Sequence, residues 1–248
     1  MGLGMMDCWG WTLAVDLPES EIFYVWQQAT PEAKAIIVVL AIFSIFAWSV
    51  MATKAIQMRR AKRLNHLFSL EFRAQSSVTN IHDRHVHVDG CPLFSVYQEG
   101  CKELAGRRRL LADNPSPSTL RLSLKSMEHV KRALERAVAE QSLQLESGLI
   151  LLAIAVSGAP FLGLLGTVWG VMSTFSYVGM KGHADLATMA PGVAAALITT
   201  VAGLLVAIPS MFGYNYLVHH LRVLTVELDN FAQELVSRME NEFLAGDD

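Results

Sequence analysis

The fold of this chain is decided by residues 147–180, SGLILLAIAVSGAPFLGLLGTVWGVMSTFSYVGM, and residues 186–221, LATMAPGVAAALITTVAGLLVAIPSMFGYNYLVHHL. Between Glu146 and Arg222 the only formal charges are Lys181 and Asp185, which lie in the short segment that joins the two runs. Each run exceeds the roughly 20 apolar residues that cross a bilayer. Both contain many small residues, which let helix backbones approach closely. The pair predicts a helical hairpin through a membrane, in contact with other helices.

Composition supports the membrane class, since 52% of residues are hydrophobic and 17% are charged. Residues 35–53, bounded by Lys34 and Lys54, form a third candidate span. We therefore expect an all-α membrane protein with three transmembrane helices. At about 1.5 Å per residue, the two later runs would each reach about 50 Å, so we expect them to extend far into the cytosol as part of a helical bundle. No P-loop, zinc-protease helix or nucleophile elbow is found, and we expect no enzyme activity and no cofactor.

The distribution of Lys and Arg predicts the orientation. Residues 1–34 hold one Lys and five acids, whereas residues 54–146 hold sixteen Lys or Arg and ten acids. The N-terminus is therefore expected outside and the C-terminus in the cytosol. The expected order is an external amphipathic segment (1–34), transmembrane helix 1 (35–53), a cytosolic helical region (54–146), transmembrane helix 2 (147–178), an external loop (179–189), transmembrane helix 3 (190–217) and a cytosolic C-terminal helix (218–248).

Two apolar stripes predict long amphipathic helices on the cytosolic side. The first is expected to continue directly into the second span, and the other follows the third span with steps of three and four that are typical of a bundle seam. The first stripe comprises Leu120, Leu124, Met127, Leu134, Val138 and Leu145, and the second Leu221, Leu224, Leu228, Phe231 and Leu235.

Small and hydroxyl residues dominate the spans, and no carboxylate or Lys lies within them. Gly163, Gly166 and Gly170 are spaced for close helix packing, as are Ala195 and Gly203 in the third span. Ordinary packing explains them without a pore. If the chain helps to move protons, the titrating group must therefore come from another protein.

Two further segments have solvent-exposed interpretations. His82, His85 and His87 resemble a metal-ligand cluster by composition but match no defined spacing, so a solvated loop is preferred and metal binding stays open. The basic run at 107–109 favours a solvated face or a contact with membrane lipid over nucleic acid.

Residues 158–172, GAPFLGLLGTVWGVM, and 189–203, MAPGVAAALITTVAG, carry a family resemblance, together with AIP at 207–209 and Tyr214-Asn215. They resemble the TolQ/ExbB branch of the MotA/TolQ/ExbB proton-channel family. LDNF at 228–231 looks closest to TolQ. The resemblance covers about residues 35–240, and only the two later spans match motif by motif.

The resemblance implies a subunit of the bacterial inner membrane whose copies form a homopentamer around a dimeric, single-span TolR/ExbD-type partner. That partner supplies a membrane aspartate, and a TolA/TonB-type protein is a possible third component. Thr167 and Thr200 fall on the family's two lumen-facing threonines. The family commonly has a glutamate in the column of Ala195, where this chain has no acid.

The resulting hypothesis is a TolQ/ExbB-like stator subunit that couples the proton motive force to mechanical work in the cell envelope. Tol-Pal-like maintenance and TonB-like uptake or protein transport both remain open. The alternatives are a membrane scaffold that conducts no ions and a gliding-type motor subunit.

Overall fold

The computed structural model describes residues 30–84, 88–112, 123–182 and 185–243, and within them the chain is helical with no strand. The helices are α1 (Pro31–Ala74), α2 (Asn80–Asp83), α3 (Pro92–Ala112), α4 (Leu124–Glu146), α5 (Leu149–Lys181) and α6 (Leu186–Phe243). The segment predicted as an amphipathic N-terminal region (1–34) lies almost entirely outside the described residues. Leu120, His85 and His87 also lie outside them.

Three of these helices, α1, α5 and α6, are long and apolar enough to cross a membrane. Their most apolar windows have only 11, 33 and 28% of positions buried inside the chain. Most of the apolar surface of the spans is therefore left for lipid or other chains to cover. The expectation of an all-α membrane protein with three such helices is confirmed.

Polar side chains define where several helices begin, because the first backbone N–H groups of a helix have no partner within it. At α1, Thr30 Oγ1 accepts a hydrogen bond from the N–H of Ala33 at 3.3 Å, just before Pro31. At α4, Ser123 Oγ accepts from the N–H of Ser126 at 3.3 Å. At α6, Asp185 Oδ1 accepts from the N–H of Ala187 at 3.2 Å.

The predicted continuous helix from the first apolar stripe into the second span is wrong. Helix α4 ends at Glu146 and α5 begins at Leu149, with Gly148 at φ +84° between them. This left-handed conformation suits glycine, which has no Cβ. Lys54 Nζ lies 3.4 Å from both the main-chain oxygen of Leu145 and Ser147 Oγ. The Lys54 ammonium group thus donates a hydrogen bond to a carbonyl oxygen at the end of α4, because no N–H group further along the helix is available to that oxygen.

One described member of the first stripe is exposed. Leu124 is 72% exposed at the start of α4, whereas the remaining described members of the stripe are buried. Its position in the first turn leaves it beyond the surface that the neighbouring helices cover. The second stripe is confirmed, because four of its members are buried and Leu221 is half-buried.

The chain divides into two compact units. The hairpin unit comprises the described residues up to 41 together with 159–205, and the bundle unit comprises 42–158 and the described residues from 206 onward. The bundle unit has an aromatic centre in which ring centroids lie 5.1–6.3 Å apart, built from Phe68, Phe72, Phe94, Tyr97 and Phe231.

The hydroxyl of Tyr97 fixes the segment that follows α1. It donates to the main-chain oxygen of Val78 at 2.6 Å and accepts from the N–H of His82 at 3.0 Å. Burial raises the pKa of Tyr97 far above its ordinary range. The hydroxyl therefore stays protonated and keeps its hydrogen-bond donor.

Candidate functional site

Within the hairpin unit, α5 and α6 approach so closely that backbone meets backbone. A Cβ added to Gly163 would lie 2.8 Å from the main-chain oxygen of Thr199, and one added to Gly203 would lie 2.6 Å from that of Ala159. Carbon atoms in folded proteins do not approach an oxygen that closely without displacement. The two helices can keep this separation only because both positions are glycine.

The same close approach continues along the pair. We call it the glycine seam, and it consists of Gly163, Gly166 and Gly170 on α5 with Gly192, Ala196, Thr199 and Gly203 on α6. A Cβ on Gly170 would lie 2.7 Å from the Cβ of Ala196, and one on Gly166 would overlap the side chain of Thr199. The positions are spaced by three and four on both helices, which is the spacing of a two-helix seam. Their pairing in opposite order shows that the helices are antiparallel.

Thr199 joins the two helices by a hydrogen bond. Its side chain is fully buried, and Oγ1 lies 2.6 Å from the main-chain oxygen of Ala196 and 3.1 Å from that of Gly163. The single hydroxyl proton is shared between a carbonyl of its own helix and a carbonyl of the facing helix. Thr199 was not among the predicted site residues, but the structure gives it the central position in the seam.

Thr167 and Thr200 lie beside the seam rather than in it. Each directly follows a seam residue, Gly166 on α5 and Thr199 on α6. In an antiparallel helix pair, equivalent positions on the two helices flank the same side of the seam. The register therefore brings both threonines to one side, which we call the threonine flank. Both are half-buried, and the lumen role assigned to them stays a prediction.

The two threonines differ in their hydrogen bonds. Thr167 Oγ1 donates to the main-chain oxygen of Leu164 at 2.7 Å, which is the common local bond of a helical hydroxyl. Among the residues that the structure describes, the Thr200 hydroxyl has no hydrogen-bond partner. Its donor and its acceptor sites are therefore available to a water molecule or to a group from another chain.

Ala195 lies on the other side of the seam. It is 2% exposed and packs against Ala33 of α1, which is also 2% exposed. Helix α1 thus contacts the hairpin on the side opposite to the threonine flank. Of the residues predicted for helix packing, four glycines lie in the seam, and Ala195 lies at the contact with α1.

Two histidines near the end of the third span were not among the predicted site residues. His219 and His220 fall inside the second apolar run, and His220 Nδ1 lies 2.9 Å from the main-chain oxygen of Tyr216. In the part of the chain that the structure describes, no three His, Cys, Asp or Glu side chains are grouped as metal ligands. His82 falls in this part, and metal binding by the full histidine cluster stays a hypothesis.

Comparison with known proteins agrees with this architecture, a membrane protein built on a small-residue helical hairpin. Residues 106–230 match the model of the MotA/TolQ/ExbB proton channel family. The chain therefore belongs to this family, as the resemblance predicted.

Individual relatives extend over most of the chain. A biopolymer transport protein ExbB of Neisseria meningitidis is 29% identical over 88% of this chain and 96% of its own length. A Tol-Pal system protein TolQ of Pseudomonas aeruginosa is 29% identical over 89% and 93%, respectively. An ExbB of Xanthomonas campestris pv. campestris is 42% identical over 46% of this chain and 45% of its own length. The chain is thus a TolQ/ExbB-like membrane subunit.

Proposed function

We propose that this chain is a non-enzymatic stator subunit of the bacterial inner membrane. Five copies form a ring around the single spans of a dimeric TolR/ExbD-type partner, and the ring couples the proton motive force to mechanical work in the envelope. The N-terminus is periplasmic and the C-terminus cytosolic, with the domain order given by the sequence. The excess of Lys and Arg in residues 54–146 supports this orientation.

The threonine flank is the observation that carries the proposal. Thr167 and Thr200 share one side of a closely packed helix pair, and α1 contacts that pair on the opposite side through Ala195. The flank can therefore face a central lumen while α1 lies at the outer rim of the ring. A free Thr200 hydroxyl suits a carboxylate or a water chain supplied by the partner. Each proton that crosses 100 mV supplies roughly 2.3 kcal/mol, so several crossings can drive a sizeable rearrangement.

Valine substitutions test the lumen role, because valine keeps the shape of threonine and removes the hydroxyl. We expect Thr200→Val to abolish proton-dependent activity in a strain that depends on this system, with normal membrane insertion and normal copurification of the partner. Thr167→Val should reduce activity without changing assembly. Full activity of both variants in a normally assembled complex would refute the lumen role.

A second candidate, a scaffold that conducts no ions, is favoured by the Thr167 hydroxyl bond to its own helix. Reconstitution of the complex in liposomes separates the two. A stator passes protons when a membrane potential is applied and stops when the partner's membrane carboxylate is neutralised. A scaffold passes none in either case. Which system the subunit serves, Tol-Pal-like, TonB-like or gliding-type, follows from which partner and which TolA/TonB-type protein copurify with it.

A further inference from the structure

The bundle unit contains a cleft of about 580 Å³ that has no role in the proposed function. It lies between α1, α3 and α6. We call it the basic cleft, because Arg59, Lys62, Arg63 and His66 of α1 line it, over apolar residues Leu93 and Phe231. Its volume falls within the range of protein binding sites, which are typically apolar with a few placed polar groups.

The charges of the basic cleft are only partly balanced. Glu234 lies on its wall and is already engaged, 3.0 Å from Arg73 and 3.1 Å from Arg238. Glu227 is the other carboxylate on the wall. Within the described ranges, neither Arg59 nor the two basic residues at 62 and 63 form an ion pair. The cleft thus presents several cations to one uncommitted acid.

Asn65 fixes the start of α3 beside the cleft. It lines the cleft and is 1% exposed, and its Oδ1 accepts from the N–H of Leu93 at 3.2 Å at the start of α3. This bond fixes the amide orientation, because a flipped amide would set two donors against each other. The Nδ2 group is then buried without a hydrogen-bond partner among the residues described. Such an unsatisfied donor costs free energy unless an acceptor reaches it.

The position of the cleft argues against a lipid headgroup. Taking 35–53 as the membrane crossing, Asn65 lies twelve residues further along α1, which is about 18 Å. The headgroup layer on each side of a bilayer is only about 5–8 Å thick. The cations at 62 and 63, about 14–15 Å from the crossing, therefore face the aqueous side, and Arg59, at about 9 Å, lies nearest to the headgroups.

We propose that the basic cleft docks an acidic segment of a partner protein. Carboxylates of that segment pair with Arg59, Lys62 and Arg63, and an apolar side chain packs on the floor formed by Leu93 and Phe231. Guanidinium groups favour carboxylates because two parallel hydrogen bonds form at once. The cleft lies in the bundle unit, so its occupancy is separable from the threonine flank and from proton transport.

Binding of a defined probe tests the charge complementarity. The probe is a fluorescein-labelled peptide of sequence Glu-Leu-Asp-Glu-Leu-Glu, titrated with the full chain in nanodiscs and followed by anisotropy. We expect Arg59→Gln combined with Arg63→Gln to weaken binding about tenfold, since each exposed charge pair contributes modestly. The matched control, Arg60→Gln combined with Arg109→Gln, removes the same charge from exposed positions outside the cleft and should change binding less than about twofold.

Equal weakening by both double variants would overturn the proposal, because it would show only non-specific attraction. Displacement of the peptide by millimolar inorganic phosphate would also overturn it, in favour of a small-anion site. In cells, a photo-crosslinking amino acid in place of Ser69, which lines the cleft, should give an adduct with an acidic segment of another protein. Adducts only between copies of this chain, or no adduct, would contradict it.

Discussion

Gly163→Ala tests the physical basis of the hairpin most directly. The added Cβ would lie 2.8 Å from the main-chain oxygen of Thr199 and 3.0 Å from the Cα of Thr200. Both are backbone atoms, so no change of rotamer can relieve the overlap. Because ordinary carbon contacts begin at about 3.5 Å, the two helices must separate by roughly half an ångström or more. That separation also lengthens the hydrogen bond from Thr199 Oγ1 to Gly163, now 3.1 Å.

The expected cost follows from three terms. Overpacking a close contact costs about 1–3 kcal/mol, and weakening an interhelical hydrogen bond in a membrane costs about 0.6 kcal/mol. The higher helix propensity of alanine offsets about 0.5–1 kcal/mol of this destabilisation. We therefore expect a net destabilisation of about 0.6–3 kcal/mol. Gly179→Ala is the matched control on the same helix, since a Cβ there meets nothing within 4 Å, and it should stabilise by about 0.5–1 kcal/mol.

Thermal unfolding in one detergent, followed by tryptophan fluorescence, measures both variants. For a chain of this size, 1 kcal/mol corresponds to a shift in Tm of about 2–4 °C, so the two variants should move Tm in opposite directions. A Tm for Gly163→Ala equal to or above that of Gly179→Ala would refute the close backbone contact.

Three further perturbations have defined outcomes. Thr199→Val should lower the free energy of unfolding by about 0.6–1.7 kcal/mol, because it removes the interhelical hydrogen bond while keeping the side-chain shape; an unchanged Tm would contradict this. Glu242→Ala should cost about 1 kcal/mol and increase amide hydrogen exchange at 76–84, because the Val78 N–H, 2.8 Å from Glu242 Oε2, loses its acceptor; Glu240→Ala is the control. Burial raises the pKa of Cys101 from 9.0 to about 12, so its contribution to stability is complete below pH 9 and is lost as pH rises through 12. Native Cys101 should therefore resist iodoacetamide at pH 8.5, and Tm should fall above pH 9; rapid alkylation of folded protein would contradict the burial.

The membrane spans could be predicted from sequence because charge exclusion over 20 residues is a local property of the chain. The glycine spacing in the second span likewise indicated a contact surface. The partner positions on the third span were harder to identify. Thr199 and Thr200 are adjacent and chemically identical, and only the register against Gly163 decides which one is buried. That register depends on contacts 36 residues apart, which periodicity within one helix does not report.

The break between α4 and α5 escaped prediction for a different reason. The apolar stripe of α4 runs into the apolar span without a change of period, so the pattern indicates one continuous helix. A single glycine with positive φ and a distant lysine, Lys54, end α4 instead. Sequence alone gives Gly148 little weight among 17 glycines. The contact with Lys54, 91 residues from Leu145 in the sequence, is not visible in the local pattern.

The structure also changes the meaning of Ala195, where relatives commonly carry glutamate according to the resemblance. Positions 195 and 200 are five residues apart, which separates them by about 140° around an α-helix. Ala195 is buried against Ala33, so a side chain there is directed to the contact with α1 and not to the threonine flank. An acid at 195 would be buried against Ala33, at a considerable desolvation cost. The paired small residues instead allow α1 to approach α6 closely. A side chain at 195 therefore does not reach the threonine flank, and the proposed lumen role of Thr200 does not depend on an acid at this position.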